Sequence, residues 1–466
     1  MRTLTAEERC ALVEVGPPGE GPVSDETFAE LARLVHTLGL ELLTTISQKR
    51  PSLSPGAVVG GGKLREIAHW TGGDGVVPSG ARAKKQKGVH ANRPEEVEDD
   101  DDDVDDGADE ADGTSDFDAR PVARKAQFVV VDHEISPRQA RNLERATDAE
   151  VMDRTGVIVE IFHRHAKSRE AKAQVEIARL QYVAPRLREA GTGDRQRGGI
   201  GGKGAGESSL ELDRRKIRDR IAELRKELEG IAKEQETRRA ARKDARRVAL
   251  VGYTNAGKSS LMRALTGSEV LVADKLFATL DTTVRALHPA AHPKILVSDT
   301  VGFIKKLPHD LVASFKSTLD EALEASLLLY VVDTSDPTHE QQLAVSKGVL
   351  REIGADAVPS LLVMNKTDRL SNSQLAIARK DHPDAVFLSA KAPDDVARLR
   401  QTVIDWFEAA MEEGEIVVPY AKRNLMGEIY ESARVVEETW DEVGAKLTLR
   451  APEGVLARLR TQLARS

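Results

Sequence analysis

The chain has 466 residues, enough for about three domains, and contains a single cysteine. Its 40% hydrophobic and 31% charged residues are typical of a soluble globular protein. No apolar run approaches the roughly 20 residues of a membrane span, and the N-terminus lacks a secretory pattern. One cysteine excludes an internal disulfide and a cysteine-based zinc site, so we expect Cys10 to be a small buried residue. These features predict a cytoplasmic protein without a membrane span, and we expect a monomer.

The net charge of −8 conceals an acidic block. Residues 95–118 contain 15 Asp and Glu and no Lys or Arg, and removing those negative charges would turn −8 into +7. A segment this acidic buries too little apolar surface to fold, which predicts a solvated insert over residues 73–126. The basic remainder permits a polyanionic partner.

Strand and helix patterns alternate over residues 1–165, which predicts an N-terminal α/β domain interrupted by the insert. Ser136, Pro137 and Gln139 form the signature of a helix that begins with a capping box. The glycines before Lys63 predict a turn before a helix and, without a GK[ST] sequence, no second nucleotide site. The expected strands are at 11–15, 40–47, 127–132 and 149–152, and a helix is expected at 25–38.

Apolar residues at a 3.5-residue period over 166–246 predict an antiparallel helical hairpin with a glycine-rich loop at 195–207. From residue 186 to residue 247 there are 19 Lys and Arg against 12 Asp and Glu. One interpretation is a solvated hairpin with a flexible tip. The other is a basic finger that enters a nucleic-acid crevice, where glycine permits close approach and Arg195, Arg197 and Lys203 neutralise phosphates.

The last part of the chain returns to α/β patterns. Residues 247–412 predict a doubly wound, mostly parallel sheet, and residues 413–466 predict a small α+β tail in the order β-α-β-β-α. The sheet strands are expected at 247–251, 294–298, 327–332, 360–364 and 385–388, and the clearest helix at 311–325.

The sequence GYTNAGKS at 252–259 matches the pattern GxxxxGK[ST] between an apolar strand and a helix. Such a loop and the N-terminus of the following helix surround phosphates with backbone N–H groups. In this pattern Lys258 reaches the β- and γ-phosphates, and the hydroxyl of Ser259 ligates Mg²⁺.

Three further motifs close successive apolar strands. Asp299, the first residue of DTVG, can hold Mg²⁺ through water, and the N–H of Gly302 can approach a γ-phosphate. Asp368, the last residue of NKTD, can accept two hydrogen bonds that guanine donates and adenine does not. The SAK sequence at 389–391 can place backbone N–H groups on the guanine oxygen. The ordered set predicts binding and hydrolysis of Mg·GTP.

The strings GYTNAGKSSL, KLFATLD, DTVGFIKKLP and RQRGGIGGKGAGE resemble the HflX family of the Obg–HflX translation-factor GTPases. ISQKRP and EISPRQARNLE extend the resemblance over nearly the whole chain. It implies binding of the large ribosomal subunit and its rRNA, and help in splitting stalled ribosomes. It also matches Thr279 to the switch threonine that ligates Mg²⁺ and senses the γ-phosphate. Thr282, Val284 and Ala205 depart from the family's usual residues, and the acidic insert is not a general family feature.

The motifs and the resemblance together define a predicted site. Its catalytic residues are Lys258, Thr279 and Gly302, and its Mg²⁺ ligands are Ser259, Thr279 and Asp299. The residues expected to contact GTP or GDP are Gly252, Tyr253, Thr254, Asn255, Ala256, Gly257, Lys258, Ser259, Phe277, Ala278, Thr279, Leu280, Asp281, Asp299, Thr300, Val301, Gly302, Asn365, Lys366, Thr367, Asp368, Ser389, Ala390 and Lys391.

Phe303 stands where Ras-like enzymes carry a glutamine that orients the attacking water. Phenylalanine cannot hydrogen-bond water, so we expect intrinsic hydrolysis to be slow until a partner assists. Asn255 offers further help, because the resemblance implies that GTPases with asparagine there recruit K⁺. The alternative is a GTP-binding scaffold that does not hydrolyse.

The favoured function is a GTPase that binds the large ribosomal subunit and dissociates or rescues stalled ribosomes, with slow intrinsic hydrolysis that the ribosome stimulates. One alternative is a regulatory switch whose GTP state recruits a protein partner. Another is an RNA-dependent ATPase built on the N-terminal domain. The basic finger favours the first, and the NKTD motif argues against an ATPase at the main nucleotide site.

Overall fold

The protein is described by a computed structural model that covers residues 8–16, 25–77, 123–187, 209–240, 246–267, 276–277, 283–291, 293–305, 316–452 and 454–464. It divides into two compact units, Met1–Ile161 and Phe162–Ser466. Four predicted features lie outside the described residues: most of the insert, the loop at 195–207, residues 278–282, and the start of the helix predicted at 311–325.

Four parallel strands form the sheet of the first unit, in the order second, first, third, fourth. They confirm the four strands predicted there. The strands are β1 (Arg9–Gly16), β2 (Glu41–Lys49), β3 (Phe128–Val131) and β4 (Glu150–Asp153), and the helices are α1 (Asp25–Thr37), α2 (Gly61–Thr71), α3 (Pro137–Thr147) and α4 (Arg154–His165), whose last residues belong to the second unit.

An apolar core holds α2 and α3 against this sheet. Val13 of β1 and Val129 of β3 are fully buried together with Ile67 of α2 and Leu143 of α3. Burial of each such side chain contributes about 1.5–3 kcal/mol relative to exposure, which is what fixes both helices on the sheet.

Two local predictions for the first unit are confirmed. Ser136 Oγ accepts a hydrogen bond from Gln139 N at 3.2 Å, and Gln139 Oε1 accepts one from Ser136 N at 2.9 Å, so α3 begins with a capping box. Cys10 is fully buried in β1, and burial raises the pKa of its thiol to about 12. A thiol with that pKa stays protonated and is a poor nucleophile, as expected for a core residue.

The second unit contains the predicted helical hairpin, with α5 at Arg169–Val183 and α6 at Ser209–Ala240. Arg169 pairs with Glu227 at 2.8 Å, and Glu176 pairs with Arg220 at 2.9 Å. A residue later in α5 therefore pairs with a residue earlier in α6, which confirms the antiparallel arrangement. Beside these ion pairs, buried apolar side chains pack along the seam, chiefly Ile177 and Leu224.

A six-stranded sheet follows, in the order β10-β9-β8-β5-β7-β6 when its strands are numbered along the chain. All neighbours are parallel except β6 and β7, which confirms the doubly wound, mostly parallel prediction. The strands are β5 (Arg246–Val251), β6 (Thr283–Ala286), β7 (Ile295–Asp299), β8 (Leu327–Asp333), β9 (Ser360–Asn365) and β10 (Val386–Phe387), and the helices are α7 (Lys258–Thr266), α8 (Lys316–Leu323), α9 (His339–Glu352), α10 (Asn372–Asp381) and α11 (Pro393–Ala409).

Two details of this sheet differ from the predictions. Strand β6 was not predicted, because its sequence TVRA has no apolar run and lies half-exposed at the sheet edge. The helix predicted to end at Ala325 ends at Leu323 in α8. The chain uses the next residues to enter β8, where Ser326 N donates to Arg247 O at 2.8 Å.

The C-terminal segment has the predicted β-α-β-β-α order and forms a three-stranded antiparallel sheet. Its central strand packs both neighbours and carries the fully buried Leu447 and Leu449. Within the described part of the chain, no helix is long and apolar enough to cross a membrane. The elements are β11 (Glu412–Pro419), α12 (Met426–Ser432), β12 (Arg434–Trp440), β13 (Gly444–Ala451), which is the central strand, and α13 (Val455–Ala464).

Candidate nucleotide site

The predicted motifs meet at the carboxyl ends of the parallel strands of the six-stranded sheet. Leu250 of β5 lies beside Asp299 of β7, and Asp333 of β8 lies beside Asn365 of β9. Loops leaving neighbouring parallel strands share one edge of the sheet, which is where ligands of doubly wound folds bind.

Two glycines allow the loop between β5 and α7 to pack tightly. Gly252 has a φ of 145°, and a Cβ there would lie 2.2 Å from the carbonyl oxygen of Val331. Gly257 has a φ of 95°, and a Cβ there would lie 2.3 Å from Nδ2 of Asn365. A side chain at either position is excluded both by the left-handed backbone and by the neighbouring strand.

Lys258, the first residue of α7, folds back over this loop. Its Nζ donates to the carbonyl oxygens of Gly252 at 3.0 Å and Tyr253 at 2.8 Å. Burial lowers the pKa of Lys258 to about 8, although the charge of Asp299 opposes that shift. The ammonium group is thus poorly solvated, and an incoming phosphate would interact with it strongly.

Ser259 and Asp299 place two oxygen atoms side by side. Ser259 Oγ donates to Asp299 Oδ2 at 2.7 Å, and Asp299 is fully buried. The next residue, Thr300, is also buried and donates to the carbonyl of Leu250 at 2.7 Å, which ties the end of β7 to β5. The carboxylate is therefore held at a fixed position beside the start of α7.

The segment after β7 pairs with the loop after β5. Phe303 N donates to Gly252 O at 3.1 Å, and Phe303 O accepts from Thr254 N at 2.8 Å. Gly302 fits because a Cβ there would lie 2.8 Å from Thr254 Cα and 3.0 Å from Lys258 Nζ.

A side chain that the motif pattern does not specify adds to this pairing. The hydroxyl of Tyr253 accepts a hydrogen bond from Lys305 N at 2.7 Å, while the ring is buried. The loop at 252–259 and the segment at 299–305 are therefore joined by both backbone and side-chain hydrogen bonds.

Asn365 joins three loops. Its Nδ2 donates to Ala256 O at 2.9 Å, and its Oδ1 accepts from Ala390 N at 3.1 Å. The side chain is almost fully buried, so both bonds replace contacts with water. In the structure, the first residue of NKTD positions the neighbouring motifs.

Lys366 reaches across the site to the loop after β5. Its Nζ donates to Asn255 O at 2.7 Å and lies 2.7 Å from Asp333 Oδ2. The sequence analysis did not identify Asp333. Its position as the last residue of an apolar strand is the only sequence feature that marks it. Its partner, Lys366, lies 33 positions farther along the chain, so the local sequence does not predict the contact.

Asp368 and Ser389 form the outer end of the site. Ser389 Oγ donates to Asp368 Oδ1 at 2.7 Å, and this bond is the main reason that the pKa of Asp368 lies below its ordinary value. Lys391 N donates to the same hydroxyl at 3.3 Å, and Ser389 N donates to Asp395 Oδ2 at 2.8 Å. Asp395 is a second residue that the sequence analysis missed. The Asp368 carboxylate is thus kept ionised and oriented, with one oxygen engaged by Ser389.

The structure brings together 19 of the 24 residues predicted to contact nucleotide, namely those at 252–259, 299–302, 365–368 and 389–391. Phe277 is buried in a described turn, with a φ of 56°. Ala278, Thr279, Leu280 and Asp281 lie outside the described residues, so the switch threonine remains a prediction.

Three protein families match the chain in succession. A family described as GTP-binding GTPase N-terminal matches residues 25–77 and 117–163, and one described as GTP-binding GTPase Middle Region matches residues 165–242. A family described as 50S ribosome-binding GTPase matches residues 247–366.

Individual relatives agree with these matches. The chain is 60% identical to the GTPase HflX of Gluconacetobacter diazotrophicus over 467 aligned positions, with 100% of both chains covered. It is 41% identical to the GTPase HflX of Escherichia coli, with 71% of this chain and 79% of that protein covered. A solved GTP-binding protein from Sulfolobus solfataricus in complex with GDP aligns at 23% identity and a TM-score of 0.42, with 85% of this chain and 99% of its own covered.

Identity of 60% over the full length of two chains does not arise between unrelated sequences. The site geometry agrees with it, since the phosphate-side and base-side motifs occupy one edge of one sheet. The chain therefore belongs to the HflX family of GTPases, and it binds and hydrolyses GTP.

Proposed function

We propose that this GTPase binds the large ribosomal subunit and dissociates or rescues stalled ribosomes, and that the ribosome stimulates its slow intrinsic hydrolysis. The observation that carries the proposal is the buried phenylalanine at position 303, where a water-orienting side chain is needed. The description of the family matching residues 247–366 as a 50S ribosome-binding GTPase supports this choice of partner.

In this proposal the residues of the site have separate roles. Lys258 contacts the β- and γ-phosphates, Gly302 N–H contacts the γ-phosphate, and Thr279 responds to its presence. Asp368 selects guanine, because its carboxylate accepts hydrogen bonds that adenine does not donate. Asn365 and Lys366 hold the loops around the nucleotide through the contacts described above.

Mg²⁺ is the proposed metal, with Ser259, Asp299 and Thr279 as its protein ligands. The hydroxyl and carboxylate oxygens of Ser259 and Asp299 lie 2.7 Å apart, and both are hard donors. Mg²⁺ prefers oxygen donors and is usually bound through one or two carboxylates together with water and substrate phosphates, so a set with one carboxylate and two hydroxyls fits. When bound, the ion neutralises charge on the phosphates.

K⁺ is a second proposed cofactor, beside Asn255. This residue is exposed in the phosphate-binding loop and has a φ of 60°. Lys366 fixes its backbone carbonyl at 2.7 Å, which keeps the side chain at the rim of the loop. Faster turnover in KCl than in NaCl at equal ionic strength would support the assignment, and equal rates would contradict it.

The surroundings of Phe303 explain why a partner is needed. The side chain is 2% exposed, and both backbone polar groups are engaged by the loop after β5. It therefore neither donates to nor accepts from an attacking water, and the paired backbone holds it in place. Partner-assisted GTPases gain about 10³–10⁵ in turnover over their basal rate.

The charge of the hairpin region supports a nucleic-acid partner. From residue 186 to residue 247 the 19 Lys and Arg exceed the 12 Asp and Glu by seven. Contacts from such a segment to phosphates release counterions, so binding should weaken steeply with salt. Arg195, Arg197 and Lys203 are proposed to contact rRNA from the loop between α5 and α6.

The test measures GTP turnover and co-sedimentation with purified large subunits, using a non-hydrolysable GTP analogue for the binding assay. Wild type should be stimulated by at least about 10³-fold. Replacing Arg195, Arg197 and Lys203 by Ala should reduce stimulation and binding while leaving basal turnover intact. Replacing the exposed Lys347, Arg351 and Lys380 of α9 and α10 by Ala is the matched control, because it removes the same charge elsewhere.

Two outcomes would contradict the proposal. One is that wild type binds large subunits without any rise in turnover. The other is that the variant at Arg195, Arg197 and Lys203 responds as well as the control. Either result would favour the alternative function, a GTP-dependent switch that recruits a protein partner.

A further inference from the structure

Two histidines and a glutamate converge on the surface between α9 and α10. Glu340 Oε1 lies 2.5 Å from His382 Nε2 and 3.5 Å from His339 Nε2. The ligand atoms of the three side chains all lie within 4.8 Å of one another. His339 and Glu340 are the first two residues of α9, and His382 directly follows α10.

A hydrogen bond orients one of the imidazoles toward this cluster. His339 Nδ1 lies 2.9 Å from the carbonyl oxygen of Asp336. A carbonyl can only accept, so Nδ1 carries the hydrogen, and in the neutral ring the lone pair lies on Nε2, which faces Glu340. A histidine that ligates a metal is usually held in this way, with its other ring nitrogen donating to a carbonyl or carboxylate.

The distances suit a tetrahedral ion after a small adjustment. Metal–ligand bonds of about 2.0–2.1 Å place neighbouring ligand atoms roughly 3.3 Å apart. The separation between His339 and Glu340 is already close to this value, and that between Glu340 and His382 must widen by less than 1 Å. The ligand atoms of the two histidines lie within 4.8 Å of each other, so they must approach by at most about 1.5 Å. The glutamate side chain is 59% exposed and can make this shift, whereas the histidines are 25% and 19% exposed and better fixed.

We propose that His339, Glu340 and His382 form a binding site for a divalent transition metal of the Zn²⁺ class, separate from the nucleotide site. Two imidazoles and one carboxylate are a ligand set that Zn²⁺ uses, and Mg²⁺ does not favour imidazole. Water would complete the coordination, because the cluster is open to solvent.

An ion here would cross-link two elements that both flank the nucleotide site. It would join the first turn of α9 to the end of α10, which begins soon after NKTD. The next residue of α9, Gln341, accepts a hydrogen bond from Lys305 Nζ at 2.7 Å. Lys305 belongs to the segment after DTVG, so the metal would fix a turn that already contacts this segment.

The test titrates Zn²⁺ by calorimetry into the full chain loaded with Mg·GDP, which keeps the nucleotide site filled. Wild type should bind one Zn²⁺ more than His339→Ala and His382→Ala. Loss of an outer-shell partner alone weakens metal binding about 10–100-fold, so loss of a direct ligand should weaken it by at least 100-fold. His36→Ala, which removes an exposed histidine of α1, should bind as wild type does.

A more conservative variant tests whether loss of metal binding is due to loss of the folded structure. Glu340→Gln keeps an acceptor for His382 but removes the anionic ligand, so GDP binding should persist while the additional Zn²⁺ is lost. The proposal is overturned if wild type and the two histidine variants bind Zn²⁺ equally, or if Glu340→Gln retains wild-type affinity. Co²⁺ absorbance in place of Zn²⁺ gives an independent readout, because its visible bands report coordination by nitrogen.

Discussion

Asp368 is oriented before any base arrives. Ser389 donates to one carboxylate oxygen, and this bond keeps the pKa of Asp368 below its ordinary value, so the group is ionised at neutral pH. Lys391 Nζ lies 3.8 Å from the other oxygen, at an exposed position where it contributes little by itself. The carboxylate is therefore ready to accept from guanine without rearrangement.

Asp368→Asn should weaken GTP binding and admit xanthosine triphosphate. The two charge-assisted bonds from guanine contribute about 1.5–3 kcal/mol each, so their loss corresponds to about 10²–10⁴-fold in affinity. The 2-oxo group of xanthine accepts where guanine donates, and the new amide can donate to it. Nucleotide competition measures both effects. Asp384→Asn, at an exposed position in the loop before β10, is the control and should change neither. Unchanged GTP affinity in the Asp368 variant would refute the guanine assignment.

Lys258 should take up a proton when nucleotide binds above pH 8. Burial lowers its pKa to about 8 in the free protein, and phosphates beside it must raise that pKa again. The contribution of its charge to affinity is therefore fully present below pH 8 and is lost as pH rises from about 8 through the higher pKa of the complex.

The uptake is measurable by calorimetry of GDP binding at pH 8.5 in buffers of different ionisation enthalpy. We expect roughly 0.5–0.8 proton bound per site for wild type, because a group with a pKa of about 8 already holds about a quarter of a proton at this pH. Lys258→Met should abolish this uptake, and Lys380→Met, on the exposed face of α10, should not. Equal uptake in wild type and Lys258→Met would show that another group titrates.

Some residues of this site could be predicted from the sequence alone, and others could not. Lys258, Asp299 and Asp368 could be predicted because each belongs to a fixed pattern at the end of an apolar strand. Asp333 and Asp395 could not, since they act on Lys366 and on Ser389 N through contacts that only the folded chain creates. The role of Thr279 stays a prediction.

Among the elements, the loop that carries NKTD is joined to its neighbours by Asn365. Removing its amide leaves the buried Ala256 O and the half-buried Ala390 N without that partner, and a fully buried group left unpaired costs about 1–3 kcal/mol. Asn365→Ala should therefore lower the free energy of unfolding by about 2–4 kcal/mol.

Asn365→Ala should also weaken GDP binding, because the loops for phosphate and base lose their common support. Denaturant titration and GDP affinity, both on the full chain, measure the two effects. Asn372→Ala, at the exposed start of α10, is the matched control and should have little effect on either. Wild-type stability in the Asn365 variant would mean that the three loops are fixed independently of this side chain.

Elements with strong periodicity or an apolar run were predicted well, and a short strand without an apolar run was not. Residues Ile177 and Leu224 revealed both helices of the hairpin, because a 3.5-residue repeat is set by the seam itself. Strand β6 has four residues, and its two apolar side chains, Val284 and Ala286, are only half-buried, so its place at the edge depends on pairing with β7. Local sequence carries no record of such pairing.

For the whole molecule, the chain on either side of the acidic block at 95–118 is anchored to a helix of the first unit. Before it, Gly75 N donates to Ala146 O at 2.9 Å at the end of α3. After it, Ala126 N donates to Trp70 O at 2.9 Å at the end of α2. Both anchors lie on helices that pack into an apolar core formed by described residues of this unit. We therefore expect the described part of this unit to fold without residues 95–118.

Deleting residues 95–118 should leave basal GTP turnover unchanged and strengthen RNA binding at low salt. The deletion changes the net charge from −8 to +7, and a protein of opposite sign is attracted to a polyanion. Replacing the block by a neutral Gly/Ser segment of 24 residues should give the same result, which separates charge from length. The gain should vanish at about 1 M salt, where charges more than roughly 3 Å apart are screened. Loss of turnover on deletion would show that the acidic block supports the nucleotide site. Unchanged RNA binding would show that its charge does not affect the attraction between RNA and the basic residues of the chain.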